Sequence, residues 1–295
     1  MKPLGKTMKR FHQILSAGLL FVTCWVQAAE PTYSRDVSKW QEVTIPPVSQ
    51  AVAHELWSSA ANHSKHEWQV FSKDGLPQAD LRNYGEKKKS DQPGFTPRVE
   101  RFGDASAFAK VDDGWLVGFD KGEWGGALYW YSQDGKNTYQ ISDNQIVDFV
   151  TLPDGIYAIE GLAHLGSESG SIIRITRSGP DARWQAAPFV KLPFAPYALS
   201  MNRDGAMLIT LSNSLVSVGR DRKVHTLLAG APWWNLYPAS SVLSKNGQKL
   251  YIGMRQYVGE FDLATKKLRM LVPARAFVSV LPKDREQQIR RSRGG

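Results

Sequence analysis

Cysteine is almost missing from these 295 residues: the single one, Cys24, lies near the amino terminus. Downstream of it no disulfide can form and no thiol can act as a nucleophile, so the folded part has to be held together by its core. Long apolar runs are equally scarce. Ile14 to Val26 is the one such stretch, short for a bilayer span, and nothing after residue 29 approaches the roughly 20 apolar residues of a transmembrane helix. The chain contains no H-E-x-x-H, no G-x-S-x-G and no P-loop phrase, which removes the motif-borne forms of zinc protease, serine hydrolase and nucleotide chemistry. A folded basic stripe is missing too. The formal charge is +9, but Lys2, Lys6, Lys9 and Arg10 account for four of those charges and the segment from Lys283 to Gly295 for three more, leaving a body near +2. Nucleic-acid binding through the folded domain is therefore not expected.

The amino terminus reads as an export signal. A basic start and the apolar Ile14–Val26 stretch lead to Val26-Gln27-Ala28, with small or branched residues where a signal peptidase reads. Residues 1–28 are expected to be removed by cleavage after Ala28, or after Ala29, giving a periplasmic or secreted chain with no integral membrane segment. A lipoprotein reading would acylate Cys24, but Phe21-Val22-Thr23 lacks the small residue such a site requires before it.

What the chain does have is a phrase used four times: an apolar approach, an Asp-Gly or Asn-Gly turn, then β-forming residues. Asp113-Gly114 precedes Trp115-Leu116-Val117-Gly118-Phe119, and Asp154-Gly155 precedes Ile156-Tyr157-Ala158-Ile159. Asp204-Gly205 precedes Ala206 to Thr210, and Asn246-Gly247 precedes Lys249-Leu250-Tyr251-Ile252-Gly253. The glycines recur at intervals of 41, 50 and 42 residues, the length of one four-stranded propeller blade. All four are expected to occupy equivalent turns at positive φ. β-branched and aromatic runs between turn signals mark the strands, with Gly161 to Gly170 read as a long insertion in the second repeat.

The fold class is therefore all-β: a β-propeller of four clear four-stranded blades plus one or two decayed ones, five- or six-bladed, following a cleaved signal peptide. Residues 29–99 form an amino-terminal segment holding a short helix over Val48 to Ala61 and partial blade material around Glu67 to Gly75. Glu86 to Gly94 reads as a charged surface loop. Residues 100–281 carry the blades and ring closure, the latter expected from a strand near Ala276 to Leu281 pairing with the amino-terminal region, because an open edge invites aggregation. Residues 282–295 read as a basic flexible tail.

The repeated turn-strand phrases, with Gly247-Gln248-Lys249-Leu250-Tyr251-Ile252-Gly253 standing where a D-G-x-x-L-Y-V stretch would, resemble exported propellers of the YVTN, NHL and lactonase-like type over roughly residues 100–273. The resemblance implies a fold and leaves activity open. It also implies that loops between second and third strands share one face with the connections between blades. That face would gather Trp124, Tyr197, Trp233, Trp234, Asn235, Tyr237 and Arg255, flat stacking surfaces beside hydrogen-bonding groups, with Glu123 and Glu168 nearby. One of Trp233 and Trp234 is expected to pack and the other to bind. His164 falls in the longest hairpin, near Glu160 and Glu168.

Two functions are compatible with this face. The first is a non-enzymatic exported propeller that needs no cofactor and binds an envelope protein, peptide or glycan through its aromatic rim. The second is a metal-assisted, lactonase-like hydrolase. The resemblance implies for it a divalent cation such as calcium, held by acidic and amide groups among Asp120, Glu168, Asn213 and Asn235.

Overall fold

The computed structural model describes residues 32–64, 66–83, 92–165, 167–179 and 181–293. The expected signal peptide, its cleavage site and most of the charged 86–94 stretch lie outside the described residues. The amino-terminal segment contributes strand β1 (Gln41–Val43), helix α1 (Ala51–Asn62) and the hairpin β2 (His66–Lys73) and β3 (Leu76–Asn83), followed by the small pair β4 (Arg98–Val99) and β5 (Gly103–Asp104). Four antiparallel sheets come next. The first holds β6 (Ala107–Val111), β7 (Gly114–Asp120), β8 (Gly126–Ser132) and β9 (Thr138–Ser142). The second holds β10 (Ile146–Leu152), β11 (Gly155–His164), β12 (Ser167–Thr176) and β13 (Gln185–Lys191). The third holds β14 (Pro196–Met201), β15 (Met207–Leu211), β16 (Leu215–Val218) and β17 (Val224–Leu228). The fourth holds β18 (Ser240–Leu243), β19 (Lys249–Gly253), β20 (Val258–Asp262) and β21 (Leu268–Val272), and helix α2 (Lys283–Arg293) ends the described chain.

Each sheet is an up-and-down meander, and successive sheets pack face to face through their own apolar clusters. These are the blades of a β-propeller. The second strand of every blade is covered on both faces, which explains its unbroken apolar run; β15 is buried at all five residues. Period-two alternation then sends neighbouring residues to opposite blades. Ile156 and Ala158 join Leu116, Leu128 and Ile146 between blades one and two. Tyr157 and Ile159 join Met207, Ile209 and Val216 between blades two and three. Leu208 turns the other way, to meet Leu250, Ile252 and Phe261 between blades three and four. Each fully buried Leu, Ile or Val among them contributes about 1.5–3 kcal/mol.

The partial blade is the β2–β3 hairpin. It lies on the free face of blade four, where Trp68, Val70 and Ala79 pack against Tyr251, Val258 and Leu271. Val70 N donates to Ser240 Oγ at 2.9 Å, and Trp68 N to the Met254 carbonyl at 3.0 Å. Serines tie two other pairs of blades at their inner strands: Ser106 Oγ donates across to the Ile146 carbonyl at 3.2 Å, and the Ser200 and Ser241 hydroxyls meet at 2.7 Å. The innermost strands thus follow one another in the order β6, β10, β14, β18, β2.

Several sequence expectations change in the structure. Residues 276–281 form no strand; a short 3-10 turn at Arg275–Phe277 sends Phe277 onto Tyr33 and Trp68, with ring centroids 5.5 Å apart in both contacts. The fourth blade is instead extended by β1, which pairs antiparallel with β21 as a fifth strand and covers that edge. The stretch expected as a flexible tail is helical through Arg293, stapled by Glu286–Arg290 at i,i+4 and lying beside α1. The Gly161–Gly170 insertion is not a loop but an extension of the β11–β12 ladder, paired down to His164–Ser167.

The four turn glycines are also of two kinds. Gly205 and Gly247 sit inside their turns at φ +80° and +75°, whereas Gly114 and Gly155 open their strands at φ +159° and +150°. At Gly114 the neighbouring strand decides the residue, since a Cβ there would press into the Tyr131 carbonyl. At Gly205 there is open space, and only the left-handed backbone favours glycine.

Candidate functional site

The connections between second and third strands do share one face. They are the 3-10 turn Gly122–Trp124 in blade one, the β11–β12 tip at Leu165, Ser212-Asn213-Ser214 in blade three and Met254 to Tyr257 in blade four. The residues expected to bind behave in three different ways there.

Trp233 belongs to the core. It is fully buried and its Nε1 donates to the Leu211 carbonyl at 2.9 Å. Trp234 stays 48% exposed, and Tyr237, at φ +48°, stays 37% exposed. Tyr197 is half-buried at the irregular start of β14.

Arg255 and Asn235 are occupied by helix α1. The Arg255 Nη1 donates to the Asn62 carbonyl at 2.9 Å and to its side-chain oxygen, while its guanidinium stacks 4.4 Å from the Tyr237 ring centroid. Asn235 Nδ2 donates to Ser58 Oγ at 3.1 Å, and Trp57 stacks on Tyr257 with centroids 5.8 Å apart. Arg255 is 7% exposed, so its charge anchors the amino-terminal helix over blade four rather than facing solvent. Gln256, only 1% exposed, ties the same turn to the carboxy-terminal segment: its Nε2 donates to the Tyr257 hydroxyl at 2.7 Å and its Oε1 accepts from Ser279 N at 2.6 Å.

Trp124 stands apart from this group, on blade one, and is 66% exposed. Its neighbour Glu123 pairs with His164 Nε2 at 2.7 Å, a link between the first and second blades that brings the β11–β12 tip to the Trp124 turn. Leu165, at that tip and at φ +44°, is 92% exposed. The sequence placed His164 near Glu160 and Glu168; the structure gives Glu160 to Ser171 and Glu168 to Ser212 Oγ, 2.7 Å away across blades two and three. The rim is thus sewn from blade to blade by acid–hydroxyl and acid–imidazole contacts. The pairing of Glu123 with His164 has no local sequence signal, because the two residues come from different repeats.

Asp120 sits at the foot of the Trp124 turn. It keeps contact with solvent, yet partial desolvation raises its carboxyl above the usual range, against the Gly122 N–H at 2.9 Å and the Gln145 amide at 3.3 Å, which pull it down. The residues considered for a cation, Asp120, Glu168, Asn213 and Asn235, belong to three blade junctions. Among the described residues no three His, Cys, Asp or Glu side chains converge on a point that could hold a metal ion. What the face offers chemically is exposed aromatic and aliphatic surface beside one acid–imidazole pair.

No family model matches the chain, and no curated protein is similar to it in sequence. Among solved structures it is similar to virginiamycin B lyase from Staphylococcus aureus, at 14% identity over 60% of this chain and 57% of that one, with a TM-score of 0.41. It is similar too to the extracellular domain of a proposed one-component system from B. thetaiotaomicron, at 16% identity over 73% of this chain and 28% of that one, TM-score 0.43. A gluconolactonase from Xanthomonas campestris follows at 14% identity, 66% and 61% coverage and TM-score 0.39. The chain spans less than two thirds of each of these proteins' own lengths. The likeness is one of propeller architecture alone. No helix among the described residues is long and apolar enough to cross a membrane.

Proposed function

We propose that the protein is an exported, non-catalytic β-propeller that binds a protein, peptide or glycan partner at the cell envelope through its second-to-third-strand loop face. One observation carries the reading: Trp124 and Leu165, on turns where Glu123 Oε2 and His164 Nε2 lie 2.7 Å apart, expose 66% and 92% of their surface in front of blades with apolar interiors. A large aromatic has few rotatable bonds to order on docking, and such residues dominate association energies. Trp234 and Tyr237 extend the surface toward blade four; Trp233, Asn235 and Arg255 support it from beneath. The hydrolase alternative needs converging ligands, whereas Glu123 and Glu168 each reach across to a neighbouring blade and Glu160 meets Ser171 within its own.

The test is binding of purified protein to peptide and envelope-glycan arrays, repeated with Trp124→Ala and Leu165→Ser. The expected outcome is a loss of about tenfold or more in affinity for each array hit, the hot-spot scale, with the melting temperature unchanged. Array hits that bind the double variant as tightly as the parent would remove this face from the function.

A further inference from the structure

The opposite end of the propeller carries a second feature that the loop face does not explain. Between blades two and three, the β10–β11 turn, the β14–β15 turn and the β16–β17 turn enclose a cleft of about 110 Å³. Its walls are Leu152, Met207 and Val218 with the rings of Tyr157 and Phe189, which meet edge to face at 4.8 Å. Its rim carries three guanidinium groups, Arg174, Arg220 and Arg222, and one carboxylate, Asp154.

The carboxylate is already committed. Asp154 Oδ2 accepts from the Tyr157 hydroxyl at 2.8 Å and lies 3.9 Å from Arg174 Nη2, which also donates to the Asp154 carbonyl. The nearby Asp221 turns back on its own hairpin, accepting from Lys223 N at 3.2 Å. Arg220 and Arg222 have no ion pair among the described residues; Arg222 rests 4.8 Å above the Phe189 ring and Arg174 lies 5.9 Å from the Tyr157 centroid. Arg174 Nε is closed off from solvent with no hydrogen-bond acceptor in the described structure. Arg174 is paired with Asp154, which leaves Arg220 and Arg222 as the two guanidiniums of the cleft with no ion pair among the described residues, and an oxyanion is the group that matches their forked donors.

Size and wall chemistry narrow the ligand. The cleft is open to solvent, so its volume of about 110 Å³ bounds the small group seated in it, with the rest of a ligand outside. The aromatic wall then favours an apolar or flat stem on that group. The geometry points to a binding site for the phosphate of an organic phosphate monoester, gripped by Arg220 and Arg222, with its stem against Tyr157 and Phe189.

Isothermal titration of the full chain at low ionic strength with phenyl phosphate and with inorganic phosphate tests this. Phenyl phosphate is expected to bind saturably and at least about fivefold more tightly than inorganic phosphate, and each of Arg220→Gln and Arg222→Gln is expected to weaken it about tenfold, the scale of one charged hydrogen bond. Both arginines lie on an exposed hairpin, so the variants should melt as the parent does, and a thermal scan checks that. Equal affinity for the two ligands would overturn the ester and assign the cleft to free phosphate. Absence of saturable binding of either, or binding unchanged in the double variant, would overturn the site.

Discussion

At the scale of single residues, burial separates neighbours that look alike in sequence. Trp233 and Trp234 are adjacent and share every composition-based argument, yet Trp233 fills the junction of blades three and four with its indole N–H satisfied, and Trp234 faces solvent. Trp233→Ala should therefore cost about 3–5 kcal/mol through the cavity it leaves, and Trp234→Ala less than about 0.5 kcal/mol, both read from denaturant melts. Equal losses would mean that Trp234 is also core. The glycines split by the same logic. Gly114→Val should be severe, because its side chain would collide with the Tyr131 carbonyl on the next strand, whereas Gly205→Val meets open space and pays only backbone strain of about 1 kcal/mol. A Gly205 variant as unstable as the Gly114 one would return the two turns to a single class.

Among elements, the fourth blade shows how strands from distant parts of the chain are joined by one acid. Glu260 on β20, with a side chain only 6% exposed, meets Lys249 of β19 at 2.9 Å and Arg269 of β21 at 2.6 Å, and Arg269 reaches Glu42 of β1 at 3.5 Å. Burial pushes the Glu260 carboxyl up, but hydrogen bonds from Lys249, Arg269 and Tyr251 outweigh it and hold the group below its ordinary value of 4.5. A carboxyl depressed on folding adds stability above its unfolded pKa and loses it as pH falls through the folded one. Glu260→Gln should accordingly be less stable than the parent by about 2 kcal/mol near pH 7, with the gap closing below about pH 4.5. A gap that stays constant from pH 7 to pH 3 would show that the charge is not what the network uses. The blades themselves were legible in the sequence, since a strand, its turn and its alternation are local and repeat. Helix α1 was legible as well, but its seat was not: Arg255 reads as an exposed recognition residue until Asn62, far away in the chain, is found hydrogen-bonded to it. The glycine pair at 161 and 170 misled for a related reason. It reads as a long insertion between strands, whereas the glycines let the Phe194–Pro196 connection approach a hairpin that stays paired.

Over the whole molecule, the apolar clusters form a series rather than one centre. Blade one packs on two, two on three, three on four, and four on the β2–β3 hairpin, each pair through its own set of residues. The far face of blade one is covered by its own preceding segment, with Phe102 and Ala105 against Trp115, Val117 and Phe119. Among the described residues no apolar cluster joins the β2–β3 hairpin to blade one. Stability in such an arrangement is set largely by neighbour-to-neighbour contacts, as in other repeat architectures, so damage at one end should stay near that end. Trp40 offers the means to see this, being 8% exposed, 4.6 Å from the Trp68 ring and bonded through Nε1 to the Ser34 carbonyl at 2.7 Å. Trp40→Ala should destabilise β1, the β2–β3 hairpin and blade four by about 3 kcal/mol or more. Hydrogen exchange should then show β18 to β21 losing protection well before β6 to β9, whose opening energy should stay near that of the parent. Protection falling by the same amount in all four blades would instead establish a single cooperative unit, closed through contacts beyond the five clusters.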